Sequence, residues 1–130
     1  MPEPVWIDRE VVLAIHDEQL AEHGGQGGVR DLGLLESALA RPRNRHAYAK
    51  GSIADLAASY AAGLSRDHPF IDGNKRTSLV VAELFLEMNG KVLSAAHDEC
   101  VLAFVQLAAG TVSESQLAEW IAAHSRSAKA

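Results

Sequence analysis

The sequence predicts an all-α fold: one compact domain, residues 1–130, of about six helices around a central buried helix. Three observations predict it. Apolar residues recur at helical spacing in nearly every segment. Capping residues precede those stripes, and Gly or Pro follows them. Hydrophobic residues make up 48% of the 130 and charged residues 22%, enough for an ordinary core without metals or disulfides.

The first helix is expected from Asp8, a natural N-cap, to His23, with Val11, Val12, Ile15 and Leu20 as its stripe. Gly24-Gly25 stops it and opens a glycine-rich loop to Gly28. Asp31 is placed to cap a short helix, Leu32 to Ala40, which buries Leu34, Leu35, Ala38 and Leu39 and ends at Pro42. Residues 41–51 are polar and basic without strong periodicity, and read as an exposed loop or short hairpin. Ser52 and Asp55 form a capping box for a helix to about Arg66, with Ile53, Leu56, Ala57, Tyr60, Ala61 and Leu64 on one face. Pro69 biases His68 away from helical dihedrals, so the chain turns there.

The helix from about Asn74 to Asn89 is apolar over most of its circumference, which marks it as the central one. Asn89-Gly90 closes it, and Val92-Leu93 reads as a short extended piece. A further helix is expected from His97 to Ala109, stopped by Gly110. Ser113 and Gln116 then form a capping box, with Val112 and Leu117 as its hydrophobic staple. The last helix turns Leu117, Trp120 and Ile121 inward, and residues 125–130 should fray.

The formal charge is −5, which disfavours wrapping a nucleic acid. The lone Cys100 has no internal partner and reads as a buried small hydrophobe. No apolar run reaches the roughly 18 residues of a membrane span. The start Met1-Pro2-Glu3-Pro4 lacks the basic and apolar stretches of a signal peptide. The expected compartment is therefore a reducing cytoplasm, away from membranes.

The stretch His68-Pro69-Phe70-Ile71-Asp72-Gly73-Asn74-Lys75-Arg76-Thr77 carries the chemistry. A helix start offers unpaired backbone N–H groups and partial positive charge, so an anion docks there without side chains. Gly73 allows close backbone approach, Asn74 can cap the helix or meet a phosphate oxygen, and Lys75 and Arg76 add fixed charge. Cations in a first helical turn oppose the helix dipole, which hints at a functional reason for them. Asp72 suits an anion site only with a divalent ion between, and magnesium held by one carboxylate plus nucleotide phosphates is the ordinary arrangement. His68 can accept a hydroxyl proton. Phe70 reads as a core anchor for the loop. His16 and Asp17, adjacent on a helix, do not face each other and read as capping or surface polarity. His23, His46, His97 and His124 lack metal-ligand spacing, so no zinc site is expected.

This stretch resembles the signature of the Fic/Doc family, His-x-Phe-x-Asp-(Gly/Ala)-Asn-(Gly/Lys)-Arg. The likeness extends to Ile15-His16-Asp17 with Gly24-Gly25, to the run Gly28–Leu39, and to the run Leu84–Gly90. The Doc (death-on-curing) branch is the nearer. The chain is short, Lys75 stands where Fic enzymes carry glycine, and Leu79 stands where they carry a second arginine. In Fic enzymes that arginine holds the γ-phosphate during AMP transfer. In the Doc branch the nucleotide pose is inverted and the γ-phosphoryl group is transferred to a threonine of elongation factor Tu, stopping translation.

The resemblance thus implies an ATP- and magnesium-dependent kinase toxin. His68 would be the base, Asp72 would hold the metal, and Gly73, Asn74, Lys75 and Arg76 would bind the phosphates. Residues 41–50 would form the family's flap, which docks the target. Many Fic proteins carry an inhibitory helix with a Glu-(Gly/Asn) pair, but no Glu in this chain precedes Gly or Asn. Inhibition would then come from an antitoxin whose C-terminal segment folds as a helix on the toxin. The alternatives are Fic-type adenylyl transfer and a silent antitoxin-binding module. A nuclease is disfavoured by charge and by the lack of a second metal cluster.

Overall fold

The computed structural model describes residues 3–128. Within them the chain forms α1 (Arg9–His23), α2 (Leu32–Ala49), α3 (Ile53–Arg66), α4 (Asn74–Met88), β1 (Lys91–Leu93), α5 (His97–Ala109), α6 (Glu114–Ala123) and β2 (Ser125–Ser127). The fold is all-α apart from the two-stranded ladder. Among the described residues no helix is long and apolar enough to cross a membrane.

The helix surrounded on all sides is α3, not α4. Eleven of its 14 residues are buried, and it packs against α2, α4, α5 and α6. Its face is built from Ala, Ser and Gly around Leu56, Tyr60 and Leu64, so neighbouring helices approach closely from every direction. At Gly63 an added Cβ would sit 2.9 Å from Ala38 Cα of α2. Helix α4 keeps Glu87 and Met88 exposed and buries Leu79, Val81, Ala82, Phe85 and Leu86.

Helix α2 does not stop at Pro42. It continues to Ala49, so the expected loop over residues 41–51 is a helix for most of its length. Proline removes one backbone donor, a cost of about 3 kcal/mol in a free helix. Tertiary contacts offset it here. Leu35, Ala38, Leu39 and Pro42 form one buried stripe at i, i+3, i+4 and i+7. Around Pro42, Arg41 and Arg45 pair with Glu114 of α6, Arg45 also pairs with Asp55 of α3 at 3.6 Å, and Arg43 lies over the Trp6 ring at 5.3 Å.

The tail also differs from expectation. Ser125–Ser127 pairs antiparallel with Lys91–Leu93, because β1 presents an open edge beside the end of α6. Ala128 N–H adds a bond to Gly90 O at 2.9 Å. Residues 129–130 of the expected fraying lie outside the described residues.

The capping boxes at Ser52/Asp55 and Ser113/Gln116 both form, and Asp31 caps α2 through Leu34 N–H at 3.0 Å. Cys100 is buried and unpaired by any disulfide.

Candidate active site

The loop between α3 and α4 is shaped by its own residues and by the segment after α1. Asn74 does not cap α4. Gly73 holds that position with φ 81°, and Asn74 is the first helical residue, almost fully buried. Its carboxamide Oδ1 accepts from Phe70 N–H at 3.0 Å, and its Nδ2 donates to Phe70 O at 2.9 Å. This two-pronged contact closes the turn from Phe70 to Asn74. The carboxamide is thereby committed to the backbone, which leaves the loop's amides and cations to face a ligand.

Phe70 is buried, as expected of an anchor, and stacks on the His16 ring with centroids 3.7 Å apart and planes 9° apart. His16 itself is 2% exposed, so it is not surface polarity. Its Nε2 lies 2.7 Å from Asp72 O. A carbonyl only accepts, so Nε2 carries the hydrogen. A stripe that runs through Val11 and Ile15 leaves His16 off the buried face of α1. The face that packs runs Val12, His16, Gln19, and a polar residue at its middle was the available signal.

The glycine-rich loop laces onto the same turn. Arg30 and Asp31 N–H groups donate to Pro69 O at 2.7 and 3.1 Å, and Ile71 N–H donates to Gly28 O at 3.2 Å. Gly25 has φ 126°, and a Cβ there would meet Asp72 Oδ2 at 2.8 Å, so only glycine fits against the carboxylate. Asp72 Oδ1 accepts from Gly73 N–H at 2.8 Å, while Oδ2 accepts a longer bond from Gln26 N–H at 3.3 Å.

His68 is exposed at the other end of the turn with φ 51°. A non-glycine residue in that region costs about 1–2 kcal/mol and persists only when surrounding contacts fix it. Arg76 is half-buried. Its Nη2 donates to Gly24 O at 3.0 Å, and its Nε is buried without a partner. Lys75 is exposed.

A cleft of about 610 Å³ gathers His68, Asp72, Gly73, Asn74, Lys75 and Arg76, closed by Gly24 and Gly25 from the end of α1 and Val105 from α5. That volume suits a small-molecule ligand. All six residues expected in the site line this one cavity. Residues 41–50 do not line it. The arrangement offers the positive end of α4, two cations and a carboxylate beside an exposed imidazole, which is the equipment for handling a phosphate.

Residues 6–86 match the model of the Fic/DOC family, from the approach to α1 through most of α4. The chain belongs to the Fic/Doc family. Two curated Fic/Doc relatives bear this out over a longer span. The protein kinase doc of Escherichia phage P1 is 34% identical over 114 residues, which cover 87% of this chain and 90% of the relative. The toxin Doc of Mycolicibacterium smegmatis is 40% identical over 97 residues, covering 72% of this chain and 71% of the relative. As a Fic/Doc protein the chain carries its motif residues on the wall of the cleft, and Leu79 in the core, 6% exposed.

Proposed function

We propose that the protein is a Doc-type toxin: it transfers the γ-phosphoryl group of ATP to a Thr or Ser hydroxyl of a translation factor, elongation factor Tu. The observation that carries this reading is the pairing of Lys75 and Arg76 on the cleft with Leu79 in the core. No cation stands at position 79 to hold a γ-phosphate in the Fic-type pose, while Lys75 puts a bulky cation where Fic enzymes have glycine. The names of the two relatives, a kinase and a toxin, support it.

The residues fit a magnesium nucleotide. Arg76 Nε is a buried donor in want of an acceptor, and the first amides of α4 have none within the helix. Among the described residues no cluster of three or more His, Cys, Asp or Glu could hold a metal. A divalent ion at Asp72 would therefore need phosphate oxygens to complete its shell, as magnesium commonly does. Magnesium, when bound, supplies charge neutralisation on the phosphates. Asp72 would hold it through the carboxylate that the Gly73 and Gln26 amides fix.

The remaining roles belong to the chain. Gly73 lets the phosphates reach the α4 amides. Lys75 and Arg76 balance the charge that spreads over the transferring oxygens. His68 takes the hydroxyl proton of the target as the new O–P bond forms and the bond from the γ-phosphorus to the β–γ bridging oxygen breaks, releasing ADP. Asn74 keeps the turn closed so that these groups stay aligned. An antitoxin whose C-terminal segment folds on the toxin is the expected regulator, since the chain has no Glu-(Gly/Asn) inhibitory signature.

The test is to incubate the protein with elongation factor Tu, magnesium and ATP and weigh the factor by intact mass spectrometry. A gain of one phosphate, absent with His68→Ala, is expected. A gain of AMP would replace the reading with adenylyl transfer. No gain, with growth arrest retained by His68→Ala, would leave only a binding role.

A further inference from the structure

Arg30 contacts three consecutive carbonyls of the segment that carries His68. Its Nε donates to His68 O at 2.6 Å, its Nη2 to Asp67 O at 2.8 Å, and its backbone N–H to Pro69 O at 2.7 Å. In extended backbone, successive carbonyls point to opposite sides, so one guanidinium cannot take two in a row. Here the fork does take two, which requires a turned backbone between Asp67 and Pro69. That is what the torsions show: Asp67 is right-handed helical at φ −78° and ψ −16°, and His68 is at φ 51°. Left to itself, a residue before proline drifts to the extended region. Among the contacts described at this turn, those from Arg30 favour the turned form over the extended one. Arg30 is otherwise exposed, lines no part of the cleft and belongs to a different chain segment.

We infer that Arg30 is a positioning residue: it holds the turned backbone at Asp67 and His68, with His68 in its left-handed conformation, and so sets where the His68 imidazole meets the target hydroxyl. The inference rests on the proposed role of His68 for its kinetic consequence, but not for its structural one. The guanidinium plane is the essential element, because its two parallel donors match two convergent carbonyls and an ammonium offers no such fork.

Two measurements on the full chain separate these claims. The first needs no activity. In NMR spectra, the amide and imidazole signals of His68 in Arg30→Ala should shift, and double or broaden, while those of Leu86 and Leu117 in the core stay in place. The second uses phosphoryl transfer to elongation factor Tu. Arg30→Ala should lower kcat about 10²-fold, the scale of a displacement near 1 Å, with KM for ATP within twofold of wild type. Arg30→Lys should recover only part of that loss. Millimolar guanidinium ion should restore part of the Arg30→Ala activity, and methylammonium should not. A merely structural staple would lower thermal stability without a kcat-specific loss or guanidinium rescue, and that result would overturn the proposal. Unmoved His68 signals in Arg30→Ala would overturn it too, whatever the activity. Moved signals in a protein that transfers nothing even as wild type would support the clamp and count against the phosphotransfer reading alone.

Discussion

Gly25 and Gly24 allow the contact at Asp72 to be tested by a matched pair of substitutions. Both have positive φ, 126° and 79°, so alanine at either is strained by about 1–3 kcal/mol. They differ in surroundings. A Cβ at Gly24 meets nothing within 4 Å, whereas one at Gly25 meets Asp72 Oδ2 at 2.8 Å and Leu20 Cδ2 at 2.9 Å. The Asp72 carboxylate is the end of an exposed side chain, so the clash is relieved by swinging it away rather than by unfolding. Both variants should therefore melt lower by a similar amount. For 130 residues the entropy of unfolding gives about 4 °C per kcal/mol, so the drop is roughly 4–12 °C. The difference should show with ligand. Magnesium ATP at about 100 times its Kd stabilises a one-site protein by about 2.7 kcal/mol, or about 10 °C here. Wild type and Gly24→Ala should gain that shift in a thermal melt, and Gly25→Ala should lose most of it. A full ligand shift in Gly25→Ala would refute the reasoning, since it would mean the carboxylate's place is immaterial to nucleotide binding.

Gly63→Ala should destabilise the protein by about 1–2 kcal/mol despite alanine's better helix propensity, because the new Cβ meets the Cα of Ala38, which cannot rotate away; a rise in melting temperature would refute this. Leu79→Arg should not install adenylyl transfer but should lower stability by more than about 3 kcal/mol, as a cation enters the core; urea unfolding measures it, and a stable variant that transfers AMP would contradict it. Burial raises the Glu83 carboxyl above its usual value, with the nearby His97 lowering it and Glu87 raising it. The folded state then holds that proton more tightly than the unfolded one, so stability falls as pH rises from about 4.5, the unfolded value, through the raised folded value. Glu83→Gln should remove that decline and melt higher at pH 7; an unchanged slope between pH 4 and 7 would count against it.

The helix caps and the motif were legible because both are local. Ser52/Asp55, Ser113/Gln116 and Asp31 act on amides three residues away, and the six cleft residues lie within nine positions of one another. What the sequence concealed was decided by distant partners. Pro42 reads as a stop, but the ion pairs of Arg41 and Arg45 with Glu114, more than 60 residues on, carry α2 past it. The Ala- and Ser-rich α3 has less apolar bulk than α4, yet its small side chains are what let four helices pack around it. The amide chemistry of Asn74 suits a phosphate oxygen, and it is used on Phe70's backbone instead.

The same distinction explains how the site is built. The motif supplies groups but cannot by itself fix a strained turn: His68 is at positive φ, and Gly73 needs space that a Cβ would take from Leu20 at 3.3 Å. The fixing comes from α1 and the loop after it. His16 holds the carbonyl of Asp72, Gly25 leaves room for its carboxylate, and Arg30 takes the carbonyls around His68. These three lie between 37 and 56 residues upstream of their partners, outside the motif itself. A chain that kept the whole motif but lost this support would keep the reactive groups and lose their alignment. An intact motif is therefore weaker evidence of activity in this fold than the motif together with His16, Gly25 and Arg30.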